Sequence, residues 1–281
     1  MAKEPYFEYN DGKEITNNAF RISASQVSKF FDSTSAWYRE HLMGEGGFEG
    51  NTATELGNCV HAAAHMFINT GDVDYDQINT YIDTLGSDID KDHIRTQYPT
   101  MVSALLPFIE RHAPTEAEKF VFHELLPGIG AGGSIDALQG RVVKEEEELT
   151  YPDDVTLMDW KTTSAKTAPV KFTRNYWFQQ MVYAWVLKQK GINVRWIKLV
   201  YVTQGEVGRV SEKTGKRLKD YPSTVSVVTE EVTESNLELI GSCLQLIAES
   251  VDTWNTNPEL RHLLAQDMRL KTHIRPKFIN P

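Results

Sequence analysis

The sequence predicts an α/β domain with a central mixed β-sheet flanked by helices and an N-terminal helical elaboration. Three observations predict this fold class. Apolar residues recur at helical spacing up to about residue 112. Short, alternating, β-branched segments follow between residues 118 and 160. A strongly amphipathic helix and two more strand-like segments then complete the alternation of helix and strand.

The helical region begins near Ser23, where serines precede apolar residues at helical spacing. The residues before it resemble an arm or a loosely packed strand, and Ser23 and Ser25 are interpreted as a helix cap and its neighbour. Glycines in GEGGFEG predict a loop. A second helix is predicted from about Thr52 to Ile68, with further helical segments to about His112.

Three strands are predicted between Glu118 and Trp160, in EKFVFHELL, GGSIDALQG and DVTLMDW. KEEEELTYPDD, between the second and third, is predicted to be a solvated hairpin connection. A helix over 171–190 ends at a glycine. The strand VRWIKLVYVT, a turn-rich excursion (EVGRVSEKTGKRLKDYP), the strand STVSVVTEEV, a helix from Glu234 to about Trp254 and a basic tail follow.

The length of 281 residues allows one large domain or two small ones. We expect one, over 1–281, with a mainly helical region (1–115), a catalytic α/β core (116–255) and a basic tail (256–281). No apolar run has membrane-spanning length, and the first residues do not resemble a signal peptide. Together with only two cysteines, Cys59 and Cys243, this predicts a cytoplasmic protein with no disulfide framework and no membrane partner.

The formal net charge is −10, from 29 basic and 39 acidic residues. This balance argues against a general nucleic-acid coat protein, which is normally basic. It does not exclude a nuclease, because metal sites concentrate carboxylates that bound cations neutralise.

Asp159 and Lys161 lie two residues apart on the third predicted strand, so both side chains point to one face. An isolated D-x-K triplet is most often a surface ion pair. Here, however, the preceding residues are apolar, and the neighbouring strand carries a lone acid, Asp136, after two glycines. Two acids and a lysine brought together would bind Mg²⁺ or Mn²⁺ and support hydrolysis.

These motifs, followed by the Q-x-x-x-Y of Gln179 and Tyr183 and preceded by the G-x-x-x-H of Gly57 to His61, resemble the PD-(D/E)XK nuclease superfamily. They are similar, more narrowly, to its RecB-like branch, which includes RecB and AddAB nuclease domains, CRISPR-associated RecB-like nucleases and phage exonucleases. The four motifs occur in the family's order over roughly residues 55 to 190.

The resemblance implies a restriction-endonuclease-like core and a specific set of functional residues. The implied catalytic residues are Asp136, Asp159 and Lys161, and the implied metal ligands are His61, Asp136, Asp159 and the backbone carbonyl of Trp160. Gln179 and Tyr183 would contact DNA or position Lys161, although both could simply be polar positions on a packed helix. Glu124 is a candidate auxiliary acid, or a strand-end charge facing water.

The resemblance also extends to DNA contacts, for which solvated surface charge is the alternative. Arg174 would lie near the scissile phosphate, beside Lys166 and Lys171. The tail could follow the DNA backbone through Arg269, Lys271, Arg275 and Lys277. Relatives that bind an iron–sulfur cluster carry a cysteine soon after an S-x-S element. Here D-S-T-S stands there instead, so we expect no iron–sulfur cluster.

The expected activity is Mg²⁺- or Mn²⁺-dependent hydrolysis of DNA, preferably by an exonuclease acting on DNA ends in recombination, repair or phage DNA processing. Expected partners are DNA, a single-strand annealing or other recombination protein, and further copies of the chain in a homo-oligomer. A phage-encoded protein would act in the host cytoplasm. The alternatives are a structure-directed endonuclease and a non-catalytic DNA-binding or assembly subunit.

Overall fold

The computed structural model describes residues 19–45, 50–140, 143–145, 148–150, 155–164, 168–208, 210–211, 213–257 and 259–260. The residues described up to 112 form one strand, a turn of 3₁₀ helix and five helices: β1 (Phe20–Ser23), the turn (Ala24–Gln26), α1 (Val27–Asp32), α2 (Thr34–His41), α3 (Thr52–Thr70), α4 (Tyr75–Thr84) and α5 (Lys91–His112). Strands dominate the remainder: β2 (Glu116–Leu126), β3 (Ile129–Gln139), β4 (Val143–Glu145), β5 (Glu148–Thr150), β6 (Val155–Thr163), α6 (Arg174–Gln189), β7 (Val194–Thr203), β8 (Val225–Glu231) and α7 (Glu234–Thr256).

Short polar side chains begin the helices of the N-terminal part. Asn51, Asp74 and Asp90 each accept a hydrogen bond from the backbone N–H three residues later, at the starts of α3, α4 and α5. These bonds satisfy N–H groups that have no partner within the helix. Helix α3 ends at Gly71, whose φ of 79° is a left-handed conformation that glycine adopts without steric cost. Local sequence therefore fixes where these helices start and stop.

The main sheet is mixed, as predicted, and has six strands within the described part of the chain. Its order is β1-β3-β6-β7-β8, and β2 pairs with β3 as well. The β1–β3 and β6–β7 pairs are parallel, whereas the β2–β3, β3–β6 and β7–β8 pairs are antiparallel. The first six residues of β6 are all buried, as expected for a strand covered on both faces.

The β3–β6 ladder is short, and this positions the site. It comprises three residue pairs and ends at Ala137 and Met158. The next residues, Asp136 and Asp159, therefore lie just beyond the last pair, where the two strands separate. We call this region the fork.

Helices cover the two faces of the sheet in two separate cores. Helices α1, α2, α6 and α7 form one core, which contains Leu157 of β6. Helices α3, α4 and α5 form the other, which contains Met158 and Trp160. Because side chains alternate along a strand, Asp159 and Lys161 face the α6 side.

Several elements differ from the sequence-based predictions. Strand β1 lies at the end of the segment predicted to be an arm or a loosely packed strand, and it joins the sheet because its backbone pairs with β3 over four residues. The first helical segment divides at Ser33, which leaves the helical conformation and caps α2. The predicted hairpin connection carries the short β4–β5 ladder. Ser23 occupies a cap position, yet its side chain makes no capping hydrogen bond.

The helices among the described residues include none that combines the length and apolar character needed to cross a membrane.

Candidate active site

An acid and a lysine from β6 lie against each other in the fork. The Nζ atom of Lys161 is 2.6 Å from Oδ2 of Asp159, and Asp159 is only 1% exposed. Burial raises the pKa of Asp159 to about 6, against the opposing effect of the Lys161 ammonium. Burial disfavours the Lys161 ammonium, but the adjacent carboxylates of Asp159 and Asp136 outweigh it and raise the pKa of Lys161. Lys161 is therefore a stable cation held inside the protein.

Asp136 faces this pair from β3. Its Oδ2 accepts a hydrogen bond of 2.8 Å from the backbone N–H of Trp160, which spans the opening of the fork. The Nδ1 atom of His61 is 3.3 Å from the same Oδ2, and its Nε2 is 2.8 Å from the Trp160 carbonyl oxygen. The backbone of a single β6 residue, Trp160, thus meets residues from β3 and α3 through its N–H and its carbonyl.

Gly57 shows why the G-x-x-x-H spacing suits this contact. It lies four residues before His61 in α3, on the same helix face. A Cβ atom at Gly57 would already touch Oγ1 of Thr162, at 3.4 Å. That distance is an ordinary van der Waals contact, so Gly57 and His61 lie on the face of α3 that packs closely against β6.

Glu118 of β2 is a further member of the site that the sequence analysis did not single out. Ligand atoms of Glu118, His61 and Asp136 all lie within 4.8 Å of one another. Burial and the neighbouring charges of Asp136 and Asp159 raise the pKa of Glu118 to about 8. Its φ of 48° is rare for a residue with a side chain, and such strain concentrates at functional positions.

A β-bulge explains why Glu118 was missed. Leu126 pairs with Ile129 beside the turn, and an unbroken hairpin would place Lys119 opposite Asp136. The register shifts between Glu124 and Leu126, so that Lys119 pairs with Ile135. Glu118 consequently comes opposite Asp136. Pairing extrapolated from the turn alone would place the correct part of β2 opposite Asp136, but with Lys119 instead of Glu118 as its partner.

Glu124, the predicted auxiliary acid, is not brought to the site. It lies six residues beyond Glu118 along β2, a separation of roughly 20 Å at the usual rise of a strand. Its Oε1 accepts a hydrogen bond of 2.7 Å from the backbone N–H of Gly128. The carboxylate thus closes the β2–β3 turn, which favours the predicted strand-end charge over the predicted auxiliary acid.

Helix α6 contributes a glutamine next to the predicted one. Gln180 is 1% exposed, and its Nε2 donates a hydrogen bond of 2.8 Å to Oδ1 of Asp159. Gln179 instead hydrogen-bonds to Tyr183, the other residue of the predicted pair. Tyr183 is buried beside Gly133, where a Cβ atom would lie 3.1 Å from the tyrosine hydroxyl. Gln180 therefore fixes one oxygen of Asp159, and Lys161 contacts the other.

An aromatic ring and an exposed ion pair complete the α6 side. Lys161 lies over the ring of Tyr176, with Nζ 4.7 Å from the ring centroid. Arg174 does not join the buried acids, because its Nη1 is 2.6 Å from Oδ1 of Asp32 and both side chains are about half exposed. Lys171 is exposed just before α6. The predicted DNA contacts at Lys166 and in the basic tail lie outside the described residues.

The donors gathered in the fork fit a hard divalent cation. Three carboxylates, an imidazole and a backbone carbonyl meet there, from Glu118, Asp136, Asp159, His61 and Trp160. Carboxylate and carbonyl oxygens are the ligands that Mg²⁺ and Mn²⁺ prefer, and clustered acids are costly without a neutralising cation. The residues present are thus suited to bind a divalent cation of this kind.

Comparison with known proteins agrees with this geometry. The family model of the PD-(D/E)XK nuclease superfamily matches residues 21–266. No curated protein matches the chain significantly in sequence. Among solved structures, a protein named as a candidate exonuclease from Eubacterium rectale is 13% identical, with a TM-score of 0.49 over 94% of this chain and 86% of its own.

A second solved structure is the alkaline exonuclease LHK-Exo from Laribacter hongkongensis, at 12% identity and a TM-score of 0.38 over 88% of this chain and 96% of that one. The same enzyme in complex with dAMP is 15% identical, with a TM-score of 0.33 over 75% and 97% of the two chains. The family match, which covers most of the chain, decides the assignment. The protein belongs to the PD-(D/E)XK nuclease superfamily.

Proposed function

We propose that the protein is a Mg²⁺- or Mn²⁺-dependent deoxyribonuclease that hydrolyses phosphodiester bonds. The observation that carries the proposal is the convergence of Asp136, Asp159, Lys161 and His61 at the fork. Their side chains come from two strands and one helix, and a lysine that serves only a surface ion pair would not be buried among acids.

The donors present would divide the work as follows. Asp136, Asp159, His61, the Trp160 carbonyl and Glu118 would hold the ion, which supplies a polarised phosphate and a water of lowered pKa when bound. Lys161 keeps its proton because two carboxylates face it, so it acts as a donor. It can orient the attacking water and stabilise negative charge that develops on the phosphate oxygens.

Gln180 supports this arrangement without contacting the reacting atoms. Its amide holds Oδ1 of Asp159, which leaves Oδ2 beside Lys161. A carboxylate fixed at both oxygens loses little conformational freedom when it binds a cation or a substrate. Gln180 is therefore a positioning residue in this proposal.

Exonucleolytic action on DNA ends is the preferred mode. The resemblance to the RecB-like branch supports it, because compact members of that branch often process ends. Recombination, repair or phage DNA processing would be its setting, with a single-strand annealing or other recombination protein as partner. An endonuclease of the same fold is the alternative, and circular DNA separates the two.

The test is digestion of labelled linear DNA, with Mg²⁺ and with Mn²⁺, by wild type and by Lys161→Ala. We expect wild type to release nucleotides and the variant to cut at least about 100-fold more slowly, since Lys161 supplies a preorganised charge. Intact supercoiled plasmid would be spared by an exonuclease and cut by an endonuclease. If both proteins bind DNA and neither cuts it, the protein is a non-catalytic DNA-binding subunit.

A further inference from the structure

A two-stranded ribbon extends from the sheet between β7 and β8. It spans residues 204–224, described here except for 209 and 212, and we call it the basic arm. Bridges join Glu206 to Tyr221 and Val210 to Arg217. The backbone N–H of Ser211 donates to the Lys216 carbonyl at 2.8 Å and closes the tip. The turn-rich excursion of the sequence is thus a hairpin.

The arm is anchored at its base and exposed beyond it. At the base, Gly205 N–H donates to Oε1 of Gln97 in α5, at 3.0 Å. Further out, Val207 is 64% exposed and Val210 is 57% exposed. These valines belong to neither core, although Val207 still lines an open cavity against α5.

The charge of the arm is opposite to that of the chain. The arm contains five basic and three acidic residues, in a chain whose formal charge is −10. Lys213, Lys216 and Lys219 are exposed, and none of them makes an ion pair with another described residue. One of the acids, Asp220, is already occupied by Arg217 and by the backbone of Gly208. Among the described residues the three ammonium groups thus have no carboxylate partner and can bind an anion, although that of Lys219 also lies 5.6 Å from the centroid of the Tyr221 ring.

The base of the arm lies next to the proposed catalytic lysine. Strands β6 and β7 are parallel, with Lys161 paired to Tyr201 and Thr163 paired to Thr203. The arm's first residue, Gln204, donates its N–H to the Thr163 carbonyl at 2.9 Å. The arm therefore leaves the sheet two to three residues beyond Lys161, at the same ends of β6 and β7, with its base held against α5.

The length of the arm indicates which part of a polyanion bound at the fork it can reach. The two bridges are four residues apart, or roughly 13 Å, and the lysine-bearing tip extends further. This exceeds the width of the major groove of B-DNA, about 12 Å, which admits a two-stranded ribbon. We infer that the basic arm binds phosphates of the strand that is not being cut, so that the substrate of the fork is double-stranded DNA. The inference rests on the proposed function.

The experiment compares two variants that remove equal charge. Lys213, Lys216 and Lys219 are changed together to Gln in the arm variant. The control changes three basic residues far from the arm together to Gln. They lie at the end of α6 and the start of β7: Lys188, Lys190 and Arg195. Dissociation constants are measured by fluorescence anisotropy in EDTA, which prevents cutting, for one duplex and its separate labelled strand at several salt concentrations.

We expect the arm variant to bind the duplex roughly 10- to 100-fold more weakly, with a salt dependence that falls by about one unit for each lysine. Its affinity for the single strand should change less than about twofold, and the control should match wild type for both. Replacement of the same three lysines by Arg should retain duplex affinity, which separates lost charge from a damaged fold.

Three outcomes would overturn the inference. Equal losses for duplex and single strand would exclude a specific role for the second strand. If the arm variant keeps its duplex affinity while wild type still cuts DNA, the arm does not bind the uncut strand, and the proposed function is unaffected. If wild type neither binds nor cuts DNA, both the inference and the proposed function are refuted. Loss of binding to phosphatidylserine vesicles instead of DNA would make the arm a membrane contact.

Discussion

The fork and the basic arm hold their charges in opposite ways. In the fork, Asp159 and Lys161 are buried against each other, and each has a strongly shifted pKa. On the arm, Lys213 and Lys216 are exposed to solvent. Buried charges lose hydration, so each depends on particular neighbours, whereas exposed charges are screened by salt and act mainly through their number. The difference indicates that the fork is built for chemistry and the arm for affinity.

The comparison predicts that one charge lost from the fork has a much larger effect than one lost at the surface. Asp136→Asn should slow DNA cutting on the order of 10³-fold, because a bound metal ion supplies several kcal/mol to such a reaction. Asp32→Asn, at the exposed Arg174 pair, should cut within about twofold of wild type. Initial rates on the same labelled duplex provide the measurement. Similar losses in both variants would mean that the fork has no special role.

Stability should separate the two kinds of ion pair as well. Lys161→Met leaves Asp159 buried without its counter-charge, which should cost about 3–5 kcal/mol of unfolding free energy at pH 8. Asp32→Asn should cost at most about 1 kcal/mol. Urea titration followed by circular dichroism gives both values.

The stability lost in Lys161→Met should depend on pH in a defined direction. Asp159 has a raised pKa when folded, about 6 in wild type, so the native state keeps a proton that the unfolded state releases. Stability from this group is present at low pH and falls as pH rises from about 4 through 6. Removal of Lys161 should raise this pKa further, so the cost should shrink toward pH 5. A cost that is constant from pH 5 to 8 would contradict the buried-charge interpretation.

Metal affinity should distinguish the two glutamates of β2. Glu118→Gln should weaken Mn²⁺ binding about 10- to 100-fold by isothermal titration calorimetry, whereas Glu124→Gln at the turn should leave it unchanged. Wild-type affinity should rise with pH through about 8, because the Glu118 carboxyl must lose its proton to bind a cation. The rise should be weaker in Glu118→Gln. If only Glu124→Gln weakened Mn²⁺ binding, Glu124 would be the auxiliary acid and Glu118 would not.

The smallest expected effect concerns neighbouring glutamines. Gln180→Leu should slow cutting about tenfold, since Asp159 loses one of its two partners. Gln179→Leu should slow it less, because Gln179 contacts Tyr183 rather than the acid. The pH–rate profile of Gln180→Leu should also shift, as expected for a residue that acts through Asp159. An unshifted profile would indicate a purely structural role.

Periodicity in the sequence predicted most of the fold, and alternation predicted the face that Asp159 and Lys161 share. Periodicity could not predict two details, the register of β2 and the rotation of α6. The bulge near Leu125 moves β2 by one residue, and only tertiary pairing reveals that Glu118 faces Asp136.

Helical spacing likewise placed Gln179 and Tyr183 on one face, which they share, but could not tell how α6 rotates against the sheet. Packing of the helix sets that rotation and turns the adjacent Gln180 toward Asp159. The sequence could not decide between an arm and a strand at β1, because a strand of four residues offers too little periodicity.

The position of Trp160 between the two layers has a further consequence. Its N–H is bonded to Asp136 and its carbonyl oxygen to His61, while its indole packs edge-on against Phe108 in the helical layer behind the sheet. A change in that layer which tilts the indole would move the Trp160 backbone. The distance between Asp136 and His61 would then change, even though neither residue contacts the altered one. The packing of the core formed by α3, α4 and α5 thus contributes to the geometry of the fork.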